Sequence, residues 1–240
     1  MTRIDANNKL HDALNEEIWA AGSELTIDRC LGQRFIAAGA RDKRVEINGV
    51  PGNALGAYLA GAKIFVNGNA QDATGDTMND GLIVVNGSVG DAVGYAMRGG
   101  AIYISGNAGY RAGIHMKEYR EKKPVIVIGG RAGSFLGEYQ AGGLIVVLGL
   151  HEDGKPTIGS FPCAGMHGGK LCIRGSLADV EFPSQTTKRP IDAQDWDEIQ
   201  PHVAKFCEFF GFNFDEVANA EFAIVTPNVA NPYKQMYVAN

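Results

Sequence analysis

Few side chains in this sequence combine the types and the spacing that catalysis requires. Cys163 and His167 stand four residues apart, where a thiolate and an imidazole could share a metal ion or form a nucleophile–base pair. The stretch around them is rich in glycine, which indicates a loop, and no further ligand follows at a useful spacing. His115 borders a charged stretch, with Met116 and Lys117 directly after it. We therefore assign no catalytic, cofactor-binding or metal-binding residue to this chain.

Glycine strings offer a second kind of chemistry, the binding of a dinucleotide. The pattern G-x-x-G-x-x-x-G begins at Gly87 and again at Gly106. A dinucleotide-binding loop needs one strand, one glycine turn and a helix whose N-terminus faces the pyrophosphate. Here the motif recurs with no helix between the strands, so the glycines indicate architecture. Arg98, Arg111 and Arg131 could line an anion site, but scattered surface arginines are the simpler interpretation.

The motif recurs with a fixed period. Gly49, Gly68, Gly87 and Gly106 mark the same point in four successive copies, each 19 residues from the last. Such a period is typical of a solenoid, in which stacked coils share one core. The sequence holds 32 glycines, about twice the usual share, and they follow the period instead of marking disorder.

Each copy carries a short apolar strand with an alternating pair of inward residues. Stacked coils would place these pairs in continuous columns. The pairs are Val45/Ile47, Ile64/Val66, Ile83/Val85, Ile102/Ile104, Ile126/Ile128, Ile145/Val147 and Leu171/Ile173. We predict an all-β solenoid, a right-handed parallel β-helix of about seven coils of about 19 residues, consistent with the crossover preference of parallel strands. A left-handed hexapeptide helix is the alternative, although 19 does not divide by six.

Further columns mark the bends and the core. A second glycine column predicts a bend in each coil, and it consists of Gly56, Gly75, Gly94, Gly113 and Gly137. Each of the first four glycines is followed three residues later by a large apolar residue, which we predict to fill the core. These residues are Leu59, Met78, Met97 and Met116. Two insertions, Lys117–Pro124 and Glu152–Pro162, should be loops projecting from the solenoid.

The segments before and after the repeats read as helices. Ile4 to Gly22 has apolar residues every fourth position and predicts an N-terminal helix capped by Asp5, and Leu25 and Ile27 read as a degenerate first coil. This divides the chain into an N-terminal cap (1–24), a β-helix (25–180) and a C-terminal helical extension with a tail (181–240).

The outward strand positions are apolar as well, which predicts that something covers them. They are Phe65, Val84, Tyr103, Val127, Val146 and Cys172. After a polar link (Ser184–Arg189), Asp195–Phe210 predicts a helix with Pro201 inside it and Gly211 as its stop. Asn213 would cap a second, short helix. The terminal stretch with Pro232, Tyr233, Met236 and Tyr237 is expected to be extended and to pack against other residues. This extension, or another subunit, could provide the cover.

Composition narrows the function classes. The net charge of −5 argues against a general nucleic-acid or anionic-membrane binder, and no apolar run is long enough to span a bilayer. We therefore expect a cytoplasmic location. The four cysteines lack the CxxC spacing of iron–sulfur and zinc sites and read as buried thiols.

The repeat phrase resembles the GXGXG domain. That domain ends the large chain of glutamate synthase and occurs as a separate subunit in split glutamate synthases. It is also similar to the subunit of formylmethanofuran dehydrogenase that has this fold. The resemblance covers about residues 25–180 and is closest to the stand-alone glutamate-synthase-type subunits. It rests on Asn48–Asn53, Asn69–Asp72, Gly109–Lys117, Val147–Leu150 and Gly165–Gly169.

This resemblance implies a right-handed β-helix without catalytic residues of its own. It implies a structural subunit of a glutamate-synthase-type complex, which makes glutamate from glutamine and 2-oxoglutarate. A glutamine amidotransferase subunit and a synthase subunit with FMN and an iron–sulfur cluster would be its partners, and it could also form a homo-oligomer. The alternative is the equivalent subunit of a formylmethanofuran dehydrogenase or formyltransferase/hydrolase-type complex. A self-sufficient β-helix enzyme that uses Cys163, His167 or His115 is a third hypothesis.

Overall fold

The computed structural model describes residues 1–151, 154–177 and 180–228. Within them the chain forms an eleven-stranded sheet and three helices. The strands are β1 (Thr2–Asp5), β2 (Glu24–Leu31), β3 (Arg44–Val50), β4 (Ala60–Asn67), β5 (Asp80–Val85), β6 (Ala101–Ile104), β7 (Val125–Ile128), β8 (Ala141–Val147), β9 (Gly168–Arg174), β10 (Thr186–Pro190) and β11 (Phe222–Pro227). The helices are α1 (His11–Ala20), α2 (Ala193–Phe210) and α3 (Phe214–Ala218).

The sheet follows chain order through its parallel part. Strands β1 to β9 are parallel neighbours, and the sheet then ends in antiparallel β11 and β10. One coil leads from each parallel strand to the next, so the predicted parallel β-helix with a C-terminal helical extension is confirmed. It has about eight turns. The seven predicted pairs lie on β3 to β9, the expected degenerate first coil is β2, and β1 adds one more parallel strand that was not predicted.

The predicted inward columns are also confirmed. Ile64 pairs with Ile83, Ile83 with Ile102, and the same register continues to Leu171. Every inward residue of these columns is at most 1% exposed. Stacked β-branched side chains therefore form the first core, because each coil places them directly over those of the coil before.

Each coil turns through residues with left-handed backbone. The second glycine column has φ between 63° and 72°. It is flanked by two columns of mostly non-glycine residues that are left-handed too, and most of these have φ between 49° and 62°. The first column is Phe35, Ala54, Ala73, Ala92, Arg111, Phe135 and Phe161, and the second is Gly39, Tyr58, Thr77, Ala96, His115, Tyr139 and Gly165.

These two columns join the coils by backbone hydrogen bonds. From Phe35 to Tyr139, each residue donates its N–H to a carbonyl oxygen of the next coil at 2.7–3.0 Å. We call this series of bonds the corner ladder. A left-handed conformation costs about 1–2 kcal/mol for a residue with a Cβ, and each bond offsets part of that cost.

The N-terminal helix was predicted too long. Ile4 and Asp5 belong to β1, because their backbone extends the parallel sheet instead of opening a helix. Asp5 does not cap α1, since its carboxylate accepts hydrogen bonds from Arg29 and from the N–H of Asn7. Leu10 precedes the first turn without a side-chain cap.

The remainder of α1 agrees with the prediction except at its end. Leu14 and Ile18 are buried. Gly22 does not provide a left-handed stop, because the chain leaves the helix at Ala21 in an extended conformation. Leu25 and Ile27 are fully buried in β2, as predicted for a first coil.

The C-terminal extension covers the outward face of the sheet. Its helix α2 begins after Asp192, whose side chain forms a capping box with Asp195, and it ends at Gly211 with φ 73°. Pro201 lies inside this single helix. Asn213 caps α3, as predicted. The prediction of a polar link at Ser184–Arg189 was wrong, because most of this segment forms β10 and pairs with β11.

A second core fills the space between sheet and helix. Outward residues of β6 to β9 pack there against apolar residues of α2, among which Phe206 is fully buried. The outward residues are Tyr103, Val127, Val146 and Cys172, and the helical ones include Ile199, Val203 and Phe206. This chain thus provides the expected cover over these four positions, whereas Phe65 and Val84 are not part of this core.

The two insertions differ. Within Lys117–Pro124 the chain makes an exposed turn between Tyr119 and Lys122. The loop prediction for Glu152–Pro162 was partly wrong: Ile158 is buried and pairs with Ala132, because its apolar side chain continues a bridge column of the solenoid. Glu152 and Asp153 lie outside the described residues, as do Pro232, Tyr233, Met236 and Tyr237.

Candidate interaction surface

Cys163 belongs to the core of the solenoid. It occupies the place that Gly137 holds one coil earlier, with φ 58°, and its N–H donates to Leu136 O as the glycines donate to the coil before them. The thiol is fully buried, and this burial raises the pKa of Cys163 to about 12. The raised pKa favours the neutral thiol at physiological pH, and the thiolate is the form that acts as a nucleophile.

A glycine is not required at this position because the solenoid ends here. At Gly113 a Cβ would meet the Cδ1 of Ile145, which belongs to a following strand. The strand after β9 is the antiparallel β11, so no isoleucine of a further coil occupies the equivalent space beside Cys163.

His167 contacts the backbone of the loop that it shares with Cys163. Its Nδ1 lies 3.1 Å from Gly165 O. Among the described residues, no group of three or more His, Cys, Asp or Glu side chains could hold a metal ion. Cys30, Cys172 and Cys207 are buried as well, and desolvation raises the pKa of each thiol.

His115 lies in an exposed stack of rings. It stacks on Tyr139 of the next coil, with ring centroids 5.1 Å apart and planes 9° apart, and meets Tyr95 edge-on at 5.9 Å. Tyr95 is 41% exposed and Tyr139 is 40% exposed.

A second stack runs beside the first along the same corner. The guanidinium of Arg111 lies 4.7 Å from the ring centroid of Phe135, and Phe135 stacks on Phe161 at 5.3 Å. Arg111 also pairs with Glu138 at 2.9 Å. We call the surface formed by Tyr95, Arg111, His115, Phe135, Tyr139 and Phe161 the aromatic corner.

The backbone beneath the aromatic corner makes its side chains unusual. All of its residues except Tyr95 are left-handed, where glycine would be free of strain. Earlier coils place mostly small residues in the same two columns, such as Ala54, Ala73, Ala92 and Ala96. Apart from the half-buried Phe135, these large rings are exposed on strained backbone, so they contribute little to the fold of this chain. Exposed aromatic and arginine side chains of this kind are typical of the centre of a protein interface.

Sequence reasoning does not find this surface. It treats His115 as a possible catalytic residue and Arg111 as a scattered arginine. The signal is present in the repeat, since aligned coils change from alanine to Arg111, Phe135 and Phe161 in one column. Reading that change requires knowing that the column faces solvent.

An ion-pair network fastens α2 to the sheet on the face beside the second core. Asp195 is 2% exposed and accepts from Arg189 at 2.6 Å and from Lys170 at 3.0 Å. Glu198 pairs with Lys170 at 3.0 Å and also with Lys123. Desolvation opposes ionisation of Asp195, but the hydrogen bonds from Arg189 and Lys170 outweigh it and lower its pKa to about 2.

A polar contact lies within the same helix–sheet interface. Tyr103 Oη is 3.3 Å from His202 Nδ1. Burial raises the pKa of Tyr103 to about 12, and desolvation lowers the pKa of His202. Both groups are therefore neutral at pH 7, which suits an apolar interface.

The described helices include none with the length and apolar composition needed to cross a bilayer.

Comparison with known proteins adds three findings. A protein of Methanocaldococcus jannaschii, described as uncharacterized protein MJ1350, is 41% identical over 241 residues, covering 97% of this chain and 92% of that protein.

The fold is similar to a chain in the X-ray crystal structure of the formyltransferase/hydrolase complex (FhcABCD) from Methylorubrum extorquens in complex with methylofuran. The TM-score is 0.61 at 20% identity, covering 91% of this chain and 88% of that chain, which shows a shared fold. The family described as GXGXG motif matches residues 20–229. The chain therefore belongs to the GXGXG family.

Proposed function

We propose that this chain is a non-catalytic subunit that holds catalytic subunits of a multisubunit enzyme complex in fixed positions. The aromatic corner carries this proposal, because its exposed rings on left-handed backbone need a partner to bury them. The solenoid supplies rigidity, since hydrogen bonds join neighbouring coils along the sheet and, from Phe35 to the last coil, along the corner ladder as well.

A complex that transfers formyl groups is the first candidate. The structural neighbour in Methylorubrum extorquens belongs to a formyltransferase/hydrolase complex, and it shares the fold over most of both chains. In such a complex this chain would take the position of the solenoid subunit, and the reactive groups would lie on partner chains.

A glutamate-synthase-type complex is the second candidate. The segments Asn48–Asn53, Gly109–Lys117 and Gly165–Gly169 resemble stand-alone subunits of that complex. Its partners would be a glutamine amidotransferase subunit and a synthase subunit that binds FMN and an iron–sulfur cluster. The segment Gly109–Lys117 includes Arg111 and His115 of the aromatic corner.

Purification of the tagged native chain from its own lysate, followed by mass spectrometry, tests both candidates. Formyl-transfer subunits would support the first candidate. Amidotransferase and flavin-containing subunits would support the second. Recovery of a lone monomer under gentle conditions would contradict the assembly role.

Substitution at the aromatic corner tests whether this surface binds the partner. We expect His115→Ala with Tyr139→Ala to weaken partner binding by tenfold or more, since central aromatic residues of interfaces often contribute about 2 kcal/mol or more. Tyr58→Ala is the matched control, because Tyr58 is left-handed, 58% exposed and in the same backbone column. Equal binding by both variants would exclude the corner as the interface.

A further inference from the structure

The first coils carry a column of side chains whose charges complement the same column read in reverse. Arg34, Asn53 and Asp72 hold the same position in three successive coils, each directly before a residue of the corner ladder. The side chains of Arg34 and Asp72 are exposed, and within the described part of the chain neither forms an ion pair. Two coil steps, about 10 Å, separate the two charges. The uncharged Asn53 lies midway between them.

The neighbouring column shows the same complementarity in size. Phe35 is 47% exposed, and Ala54 and Ala73 hold its place in the next two coils. A projecting ring in one coil is therefore followed by small residues. These small residues leave room for a ring from another molecule.

Tyr58 marks the middle coil of the three. It is 58% exposed and belongs to the second column of the corner ladder, with Gly39 before it and Thr77 after it. Its large ring thus projects between two smaller residues. We call the surface formed by Arg34, Phe35, Asn53, Tyr58, Asp72 and Ala73 the N-terminal corner.

A two-fold rotation brings the complementary features together. An axis that crosses the middle coil reverses the order of the coils and keeps each column in place, so Arg34 of one copy faces Asp72 of the other, twice in each dimer. Phe35 then faces Ala73, and Tyr58 faces its own counterpart on the axis. A column with both charges suits neither a uniformly acidic nor a uniformly basic partner, whereas a reversed second copy pairs both charges.

We propose that the N-terminal corner is the interface of a symmetric dimer of this chain. The ion pairs between Arg34 and Asp72 set the register of the two solenoids. The rings of Phe35 and Tyr58 supply apolar surface that becomes buried between the copies.

This dimer leaves the aromatic corner accessible from Arg111 onward. Arg111 lies three coils beyond the axis, whereas the facing copy ends two coils beyond it, at the coil of β1 and α1. The dimer therefore presents two aromatic corners, one at either end.

Sedimentation velocity of the full, isolated chain over a range of concentrations tests this proposal. We expect the native chain to dimerise, and Arg34→Glu and Asp72→Lys each to dimerise at least about tenfold more weakly, because each change brings like charges together twice in one dimer. Arg120→Glu makes the same change of charge at an exposed position outside the N-terminal corner. It should leave dimerisation unchanged.

An equimolar mixture of the two weakened variants, Arg34→Glu and Asp72→Lys, is a sharper test. In the mixed dimer both facing pairs again join opposite charges, so dimerisation should return to within about threefold of the native value. This recovery requires both chains to be folded, and circular dichroism checks that each is.

A third variant covers a possible loss of folding. Asp72 Oδ1 also accepts the N–H of Asp91 at 2.9 Å, so Asp72→Lys removes a hydrogen bond within the chain. Tyr58→Arg leaves that hydrogen bond intact and brings two positive charges together at the axis. We expect it to weaken dimerisation at least about tenfold.

Three results would overturn the proposal. The first is a native chain that stays monomeric at every concentration, and the second is a dimer that tolerates Tyr58→Arg. The third is a pair of folded variants of opposite charge that do not associate when they are mixed. Because the isolated chain is measured, none of these results depends on the proposed function.

Discussion

The side chain of Ile126 fills the space that a Cβ on Gly94 would require. An ideal Cβ on Gly94 would lie 2.4 Å from Ile126 Cδ1, well inside van der Waals contact. Gly94 also has φ 67°, so two independent constraints select glycine there. An isoleucine of a later strand occupies the same space beside Gly56, Gly75 and Gly113, so this column of glycines follows from the isoleucine column.

We expect Gly94→Ala to destabilise the chain by about 2–4 kcal/mol, because it combines a left-handed alanine with overpacking. Gly39→Ala is the control, since Gly39 has φ 66° but no atom near its Cβ position, and it should cost only about 1 kcal/mol. Urea unfolding measures both. Adding Ile126→Val removes the clashing methyl group, so failure of this change to restore part of the loss would contradict the packing explanation.

Phe206 anchors α2 in the second core. It is fully buried, and its ring stacks with Phe212 at 5.5 Å. We expect Phe206→Ala to lower the free energy of unfolding by about 3–5 kcal/mol through lost burial and a cavity. Denaturant titration followed by circular dichroism would show it. Tyr119→Ala, at a half-exposed position, should change stability by less than about 0.5 kcal/mol.

Asp195 should make the free energy of unfolding of the chain decrease in acid. The hydrogen bonds from Arg189 and Lys170 outweigh desolvation and lower the folded-state pKa to about 2, from about 3.9 in the unfolded chain. A lowered carboxyl pKa stabilises the fold above the unfolded-state value, and this stabilisation is lost as the pH falls from about 4 through about 2. Its size at pH 7 is about 2–3 kcal/mol.

The variant Asp195→Asn removes the ionic contribution of Asp195 and keeps its capping hydrogen bond. The amide oxygen can still accept a hydrogen bond from the N–H of Asp192. We expect the variant to be less stable than the native chain at pH 7 and the difference to shrink towards pH 2. Unfolding curves at a series of pH values measure this difference. A difference that stays constant with pH would refute the ionic contribution.

The cysteines should be unreactive in the folded chain. Burial raises the pKa of Cys163 and Cys172 to about 12 and that of Cys30 to about 11, so little thiolate exists near pH 8. We expect a thiol-specific reagent to label none of the four within minutes in buffer and all four in denaturant. Rapid labelling of Cys163 in the native chain would contradict this prediction and indicate a reactive thiolate.

Cys163→Ala addresses the same question in the assembled complex. Alanine is also a small residue at a left-handed position, so the fold should tolerate it with a loss of about 1 kcal/mol. We expect the activity of the complex to be unchanged. Loss of activity with retained assembly would assign Cys163 a chemical role.

The repeat allowed much of the fold to be predicted. A column of Ile and Val at one period fixes which residues face inward, and Ile64, Ile83 and Ile102 lie in register as expected. The outward Tyr103 and Val127 predicted a cover, because a solvated face would have alternated to polar residues. The helix with Gly211 as its stop provides that cover.

Elements outside the repeat were harder to predict. β1 has the sequence TRID and β10 the sequence TTKRP, and such short polar strands have no periodicity of their own. They pair because a neighbouring strand offers an open edge, which is a tertiary effect. The aromatic corner escaped prediction for a related reason, since the exposure of Phe161 depends on where the last coil ends.

The constant spacing of the coils turns the solenoid into a molecular ruler. Neighbouring strands lie about 4.8 Å apart, so the eight steps from β1 to β9 span about 38 Å. Duplicating or deleting one 19-residue coil would leave the internal packing of the others intact. It would change the distance between anything bound at the two ends by a single increment of about 4.8 Å. The length of the solenoid therefore changes in steps of one coil and is set by the number of repeats.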